Sequence, residues 1–409
     1  MNLIKISLIY IRRQSLNTLL NALLMALGVG GVVALVVVMD QVEGKLQKDA
    51  AGIDLVAGAK GSPAQLIMSA IFHIDAPTGN ISAADAESIS KNRFVKKAIP
   101  LALGDSAQGF RIIGTTAEYP AHYGANVAQG KLWAAPMEAV IGASVAKTTG
   151  LRPGASFTGS HGLTAGGEEH HDNPYKVTGV LSPTDSALDN LILTSVESVW
   201  KVHEAHGHHE EEAGDHHEAE HDHDEEGGEI TALLIQYSTP MAAASFPRYV
   251  NSISSLQAAS PAFETARIMT ALGAGVQVMK GFSFALIFSA GLGVFIALYN
   301  AMKERKYDLA IMRALGASRR KLFLHVICEG FILTTIGVVA GIVAGHLAVA
   351  FLGAWLGETR QMAISWAYWS PKEFYLVPVA FVVGFSASLI PAIQAYSTDV
   401  ANTLTDGGK

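Results

Sequence analysis

Residues 203–226 read HEAHGHHEEEAGDHHEAEHDHDEE, of which eight are His and eleven are Asp or Glu. Imidazole and carboxylate are ligands for zinc, nickel or copper. The candidate ligands are therefore His203, His206, His208, His209, His216, His217, His221 and His223, with His170 and His171 in a second run, SHGLTAGGEEHHD, at 160–172. The first run contains an H-E-x-x-H string, from His217 through Glu218 to His221. A metalloprotease needs that string on a packed helix with a further ligand. No large apolar residue lies between His203 and Ile230 to bury such a helix, so protease chemistry is not expected and no catalytic residue is assigned. Two readings stay open: a solvated acidic loop, or a flexible tract that buffers, senses or hands over a metal such as zinc without selecting its geometry.

The elements that carry these loops are those of a membrane protein. Of 409 residues, 50% are hydrophobic and 16% charged, and the mean hydropathy is +0.29. The net charge of −7 is concentrated: positions 201–229 hold one Lys and twelve acids, leaving the rest of the chain basic. Cys328 is the only cysteine, which excludes an intrachain disulfide and a Cys-based zinc site. No nucleic-acid partner is expected.

A bilayer span needs about 20 apolar residues. Four segments qualify: 14–39, 281–302, 322–357 (with its apolar run at 330–357) and 374–398. The first follows Arg12 and Arg13 and is too long, with no prompt cleavage site, for a signal peptide, so it reads as an uncleaved anchor. Lys5, Arg12 and Arg13 before it, and the basic 303–321 loop, orient the chain by the positive-inside rule. The 1–13 N-terminus, the 303–321 loop and the 399–409 tail are then cytoplasmic, with the short 358–373 connection outside. The external part is a domain over 40–247, carrying His/acid-rich insertions at 160–172 and 203–229, followed by a stalk over 248–280. The expected location is a bacterial inner membrane, with this domain in the periplasm.

The external segment reads as mixed α/β. Ser82 is placed to cap a helix in ISAADAESISKN, and short β-rich runs follow at 109–115, 138–146, 175–182, 190–195 and 230–237. The segment 248–280 reads as largely helical despite Pro261. The apolar stretch 54–81 reads as the domain's first strand and turn, in preference to a lipid-facing mouth. Small residues recur at four-residue spacing, as Ala22, Ala26 and Gly30 on the first span and Gly337, Gly341 and Gly345 on the third. Such ridges allow close helix–helix approach and suit packing within a dimeric bundle. His346 is the exception in apolar surroundings and reads as packed or interfacial, since no charged residue lies within a turn of it.

The cytoplasmic loop NAMKERKYDLAIMRALGASRRKLF (300–323) predicts a short amphipathic helix with Leu309, Ile311, Met312 and Leu315 on one apolar side and Gly316 at its end. A helix joined to two spans suits docking in a partner's groove; the alternative is lying on anionic lipid. The stretch closely resembles the hallmark of the FtsX-like permeases, which include the MacB and LolC/LolE transporters. Glu304, Arg305, Asp308, Leu309, Ala310, Met312, Arg313, Ala314, Leu315, Gly316 and Ala317 match it, with Asp308 where Glu is usual. RRQSLNTLLNALLMALGVG (12–30), GTTAEYP (114–120), VIGASVAKTTGLRPG (140–154), YKVTGVL (175–181) and PAIQAYSTDVANTL (391–404) extend the resemblance.

The resemblance implies four transmembrane helices with a MacB-like periplasmic core domain. It also implies a homodimer, in membrane lipid, on a pair of cytoplasmic ABC ATPase subunits. Glu304, Arg305, Asp308, Leu309, Met312, Arg313, Leu315, Gly316 and Ala317 would couple ATP hydrolysis there to movement of the external domain. No intrinsic cofactor is expected. The nearest phosphate-loop look-alike, GASVAKTTG (142–150), lacks the second Gly before its Lys and lies on the external side, so ATP belongs to a partner chain. Three roles stay open: export or extraction of a hydrophobic or lipoprotein-type cargo, metal homeostasis through the His-rich loop, and regulation of a cell-wall hydrolase without transport. The periplasmic partner would correspondingly be an adaptor, a lipoprotein or a metal-binding protein.

Overall fold

The computed structural model describes residues 7, 15–160, 173–202, 228–358 and 364–397. The candidate metal ligands at 170–171 and 203–223 fall outside the described residues. The chain divides into two units, one of residues 1–43 with 270–409 and the other of residues 44–269.

The second unit is built on strands β1 (Leu55–Ala59), β2 (Ile81–Ser82), β3 (Val95–Ala107), β4 (Phe110–Thr115), β5 (Val127–Gly130), β6 (Glu138–Ile141), β7 (Ser156–Phe157), β8 (Tyr175–Leu181), β9 (Leu191–Ser195), β10 (Glu229–Ile230), β11 (Ala232–Tyr237) and β12 (Leu256–Ala259). Ten of them form one mixed sheet in the order β12-β1-β11-β3-β4-β9-β6-β8-β5, with β7 on β8, while β2 and β10 pair separately. The β4–β9 and β6–β8 ladders are parallel and the others antiparallel. Ala107 pairs with Phe110 across Gln108 and Gly109, both at positive φ (51° and 80°). That is the two-residue hairpin whose twist matches the strands it joins.

Helices of this unit are α2 (Pro63–Ala70), α3 (Ala83–Ser90), α4 (Glu118–His122), α5 (Ala143–Thr149), α6 (196–202) and α7 (Ala242–Ser252). Ser82 caps α3 as expected, its side chain accepting from the Asp85 N–H. One apolar cluster packs Ile89 of α3, Val199 of α6 and Phe246 of α7 against Leu55, Leu233 and Ile235. Another gathers Ile112, Ile141, Val177, Ile192 and the stacked pair Phe157–Tyr175.

Three local expectations are corrected here. Residues 138–146 are not one β run: Gly142 ends β6 and precedes α5, where a Cβ would meet the Leu188 and Asp189 carbonyls at 2.5 and 2.4 Å. The 54–81 stretch is core, but it contains α2, with Ser62 as cap and Pro63 at its first position, rather than a simple turn. Residues 248–260 are not stalk: they finish α7 and form β12, the sheet's edge strand on β1. Pro261 does not interrupt a helix; it starts one, where its missing N–H costs nothing.

The other unit holds most of four helices long and apolar enough to cross a membrane: α1 (Ser15–Asp49), α8 (Pro261–Glu304), α10 (Arg319–Glu358) and α11 (Leu376–Ser397). The helix α1 runs ten residues past the expected end of the first span, and α8 takes in the expected stalk from Pro261 and the second span without a break. A short helix, α9 (Lys306–Ala314), joins α8 to α10.

The small-residue ridges of α1 and α10 face each other within this one chain. A Cβ on Gly337 would lie 2.6 Å from the Met25 side chain, one on Gly341 2.7 Å from Val29, and one on Gly345 2.7 Å from Val33. The Ala22, Ala26 and Gly30 carbonyls lie 3.6, 3.1 and 2.9 Å from those same positions. Close backbone approach of this kind is what small residues permit in a membrane. Val29, Val33, Val37, Ile287, Val338 and Ala380 fill the adjoining core.

Candidate functional site

The 300–323 loop, with its resemblance to the permease hallmark, forms a defined structure between α8 and α10. Glu304 ends α8 and is exposed, and Arg305 precedes α9, which contains Asp308, Leu309, Met312 and Arg313. Helix α9 ends in a Schellman motif. The Gly316 N–H donates to the Arg313 carbonyl at 3.0 Å and the Ala317 N–H to the Met312 carbonyl at 2.9 Å, with Gly316 at φ +95°. The position needs glycine because other residues pay to enter the left-handed region.

The apolar residues of α9 do not form one face. Leu309 (3% exposed) and Ala310 are buried, and Met312 packs with Leu309 on Val294, Leu298, Leu322 and Val326. Ile311, Tyr307 and Leu315 point away from that core, Leu315 being 83% exposed. The helix is thus fixed from below by Leu309 and Met312 and offers an apolar edge with Leu315 at its tip.

Two polar contacts beside α9 were not legible in the loop itself. Arg305 Nη1 lies 3.3 and 3.5 Å from the Glu329 carboxylate oxygens, with side chains only 12% and 8% exposed. One turn before Glu329 on α10, His325 Nδ1 meets Ser7 Oγ at 3.0 Å, buried. A buried charge is costly unless paired, so Glu329 and Arg305 hold each other and tie the start of α9 to α10. The signal available in sequence was an ionisable pair, His325 and Glu329, at helical spacing just before the apolar run.

The small-residue positions lie between helices, as described above, and do not take part in this loop. His346 is buried, but its partner is distant in sequence: Nε2 is 3.1 Å from Glu373 Oε2 and Nδ1 is 2.7 Å from the Trp366 carbonyl. The reading of His346 as a packed histidine holds, and a carboxylate 27 residues away in sequence supplies the charged partner that its own turn lacks. Among the described residues no group of three or more His, Cys, Asp or Glu could hold a metal.

In the other unit, His73 stands at φ +55° with Nε2 2.8 Å from Tyr119 Oη. Burial, with the Arg111 guanidinium nearby, pulls its imidazole down to about 3.

Membrane-length helices, the short helix α9 in the connection between two of them and a mixed α/β domain make up an architecture of the permease class. Residues 18–245 match the MacB-like periplasmic core domain and residues 280–400 the FtsX-like permease C-terminal region. The chain belongs to this FtsX/MacB-type ABC permease family. The macrolide export ATP-binding/permease protein MacB of Rhodopirellula baltica is 29% identical over 130 residues, which are 31% of this chain and 17% of that protein. Among solved structures, the periplasmic region of MacB from Actinobacillus actinomycetemcomitans aligns with TM-score 0.35 and 13% identity, covering 55% of this chain and 95% of that one. The extracellular domain of the ABC-type transporter YknZ from Gram-positive bacteria aligns with TM-score 0.31 and 12% identity, covering 50% and 98%.

Proposed function

We propose that this chain is the transmembrane subunit of an ATP-driven complex of the bacterial inner membrane, with a separate cytoplasmic ABC ATPase docked on α9. The observation that carries the reading is the division of labour on α9. Leu309, Met312 and the Arg305–Glu329 pair anchor it, while Leu315 presents an exposed apolar tip. A rigidly held helix with a free apolar edge fits a groove in a partner. Closure of the ATPase pair would then move α8 and α10 and, through the chain, the external domain. Two copies of the permease would match two ATPases.

The cargo class that fits is hydrophobic or lipid-anchored, in keeping with the macrolide export of the Rhodopirellula relative. Purification from native membranes tests both parts. A copurifying ABC ATPase and cells that retain a lipoprotein or hydrophobic compound when the chain is deleted support the proposal; a chain that purifies with no ATPase refutes it.

The His-rich runs favour a second reading, metal handling, because eight His within 203–226 supply zinc ligands in excess. Deleting 203–226 and growing cells under zinc starvation and excess decides it. A shifted zinc tolerance supports metal handling, and unchanged growth at both extremes rejects it.

A further inference from the structure

His346 of α10 sits where both ring nitrogens face hydrogen-bond acceptors. Nδ1 is 2.7 Å from the Trp366 backbone carbonyl, which can only accept, so Nδ1 carries a hydrogen. Nε2 is 3.1 Å from Glu373 Oε2, while Glu373 Oε1 accepts the Ser370 N–H at 2.7 Å. Both side chains are buried, His346 9% and Glu373 4% exposed. With Nδ1–H fixed, a neutral imidazole turns the Nε2 lone pair towards a carboxylate that also has only lone pairs. The contact closes only if one proton lies between them, on Nε2 as imidazolium or on Oε2 as carboxylic acid.

The surrounding charges leave that proton as the uncompensated variable. Asp40 of α1 accepts from Ser370 Oγ and from Lys372 Nζ, the latter at 2.5 Å. Lys280 of α8 lies near Asp40, and Glu43 and Tyr368 lie near Lys372. The ring of Trp369 packs on His346 with centroids 4.5 Å apart. The 364–375 segment is thereby tied to α10 through Glu373 and the Trp366 carbonyl on His346, and to α1 through Asp40 and Gln41, whose side chain bonds the Ser365 backbone twice.

We propose that the His346–Glu373 pair is a proton-binding site, and that the bound proton closes a clasp holding the 364–375 connection onto α10. Removal of the proton sets a lone pair against a carboxylate in a buried site and opens the Glu373 side of the clasp, while the Asp40 contacts to Ser370 and Lys372 stay in place.

The Glu373→Gln variant separates the proton from the contact. Its amide N–H donates to neutral His346 Nε2 and its carbonyl accepts from Ser370, so the clasp stays closed with no proton to lose. The exposed Ala367 is replaced by cysteine in full-length protein with Cys328→Ser, spin-labelled and placed in lipid nanodiscs. Its spectrum is recorded from about pH 5 to about pH 10. The expected result is an immobilised label at the acidic end that becomes mobile as pH rises. In Glu373→Gln the label stays immobilised throughout, and in His346→Phe it is mobile throughout. A label whose mobility is constant with pH in the otherwise unaltered protein, or Glu373→Gln following the same curve, overturns the proposal. Should His346→Phe fail to fold, the Glu373→Gln comparison alone decides.

Discussion

Gly30 of α1 lies against Gly341 of α10 so closely that a Cβ on Gly30 would stand 2.9 Å from the Gly341 carbonyl oxygen. The two small-residue ridges are therefore partners within one subunit. Gly341→Leu should separate α1 from α10 by forcing a side chain into Val29 and Ala26. Overpacking of a close interface costs about 1–3 kcal/mol, and a lowered thermal midpoint in detergent is the expected readout. Gly281→Leu, where a Cβ meets nothing within 4 Å, should leave the midpoint unchanged. Equal effects of the two substitutions would contradict the packing described.

The Arg305–Glu329 pair predicts an asymmetric response. Arg305→Ala leaves Glu329 buried and uncompensated, which costs about 3–5 kcal/mol. Arg305→Ala with Glu329→Leu removes both charges and should recover much of the midpoint lost in the single variant. If the double variant is as unstable as the sum of the two singles, the pair does not act as a unit.

His73 sets a pH dependence in the external domain. Its folded value, about 3, lies below the unfolded value of about 6.5. The folded state thus resists taking up the proton. The stability it contributes is complete above pH 6.5 and is lost as pH falls towards 3, at about 1.4 kcal/mol per pH unit. His73→Asn keeps a residue tolerant of positive φ and a polar group for Tyr119 but removes the titration. The gap in unfolding midpoint between native and variant protein should narrow as pH is lowered from 7 to 4, about three units that span most of the titration. A constant gap would show that His73 does not titrate as described.

Much of α9 was legible in the sequence because its signals are local. Leu309 and Met312 repeat at helical spacing, and Gly316 marks the end at which a left-handed residue is needed. The division of its apolar residues was not legible, since which side of α9 faces α8 and α10 is decided by the path of the chain through Arg305. The ridges could be read as close-packing surfaces, yet spacing carries no information on which helix fills them. His346 and Glu373 are 27 residues apart, and no local rule brings them together. In β3, Lys96, Lys97 and Pro100 blur the alternation that marks a strand, so the longest strand of the sheet carries no clear sequence signal. The start of the stalk was not legible because α7 and α8 are both helical in pattern, and β12, the strand between them that still belongs to the domain's sheet, is only four residues long.

In the proposed complex Leu315 is the exposed point of contact for the ATPase. Gly316→Asp is a poor probe, since φ +95° would strain it and unwind the end of α9. Leu315→Asp changes a side chain that is 83% exposed and should leave the permease folded. The direct test is the ATPase activity and assembly of the purified permease–ATPase complex in nanodiscs, native against Leu315→Asp. The predicted result is a permease of unchanged thermal midpoint whose ATPase either dissociates or loses stimulation by at least about tenfold, equivalent to about 1.4 kcal/mol. Full assembly and full stimulated activity in Leu315→Asp would contradict α9 as the coupling element.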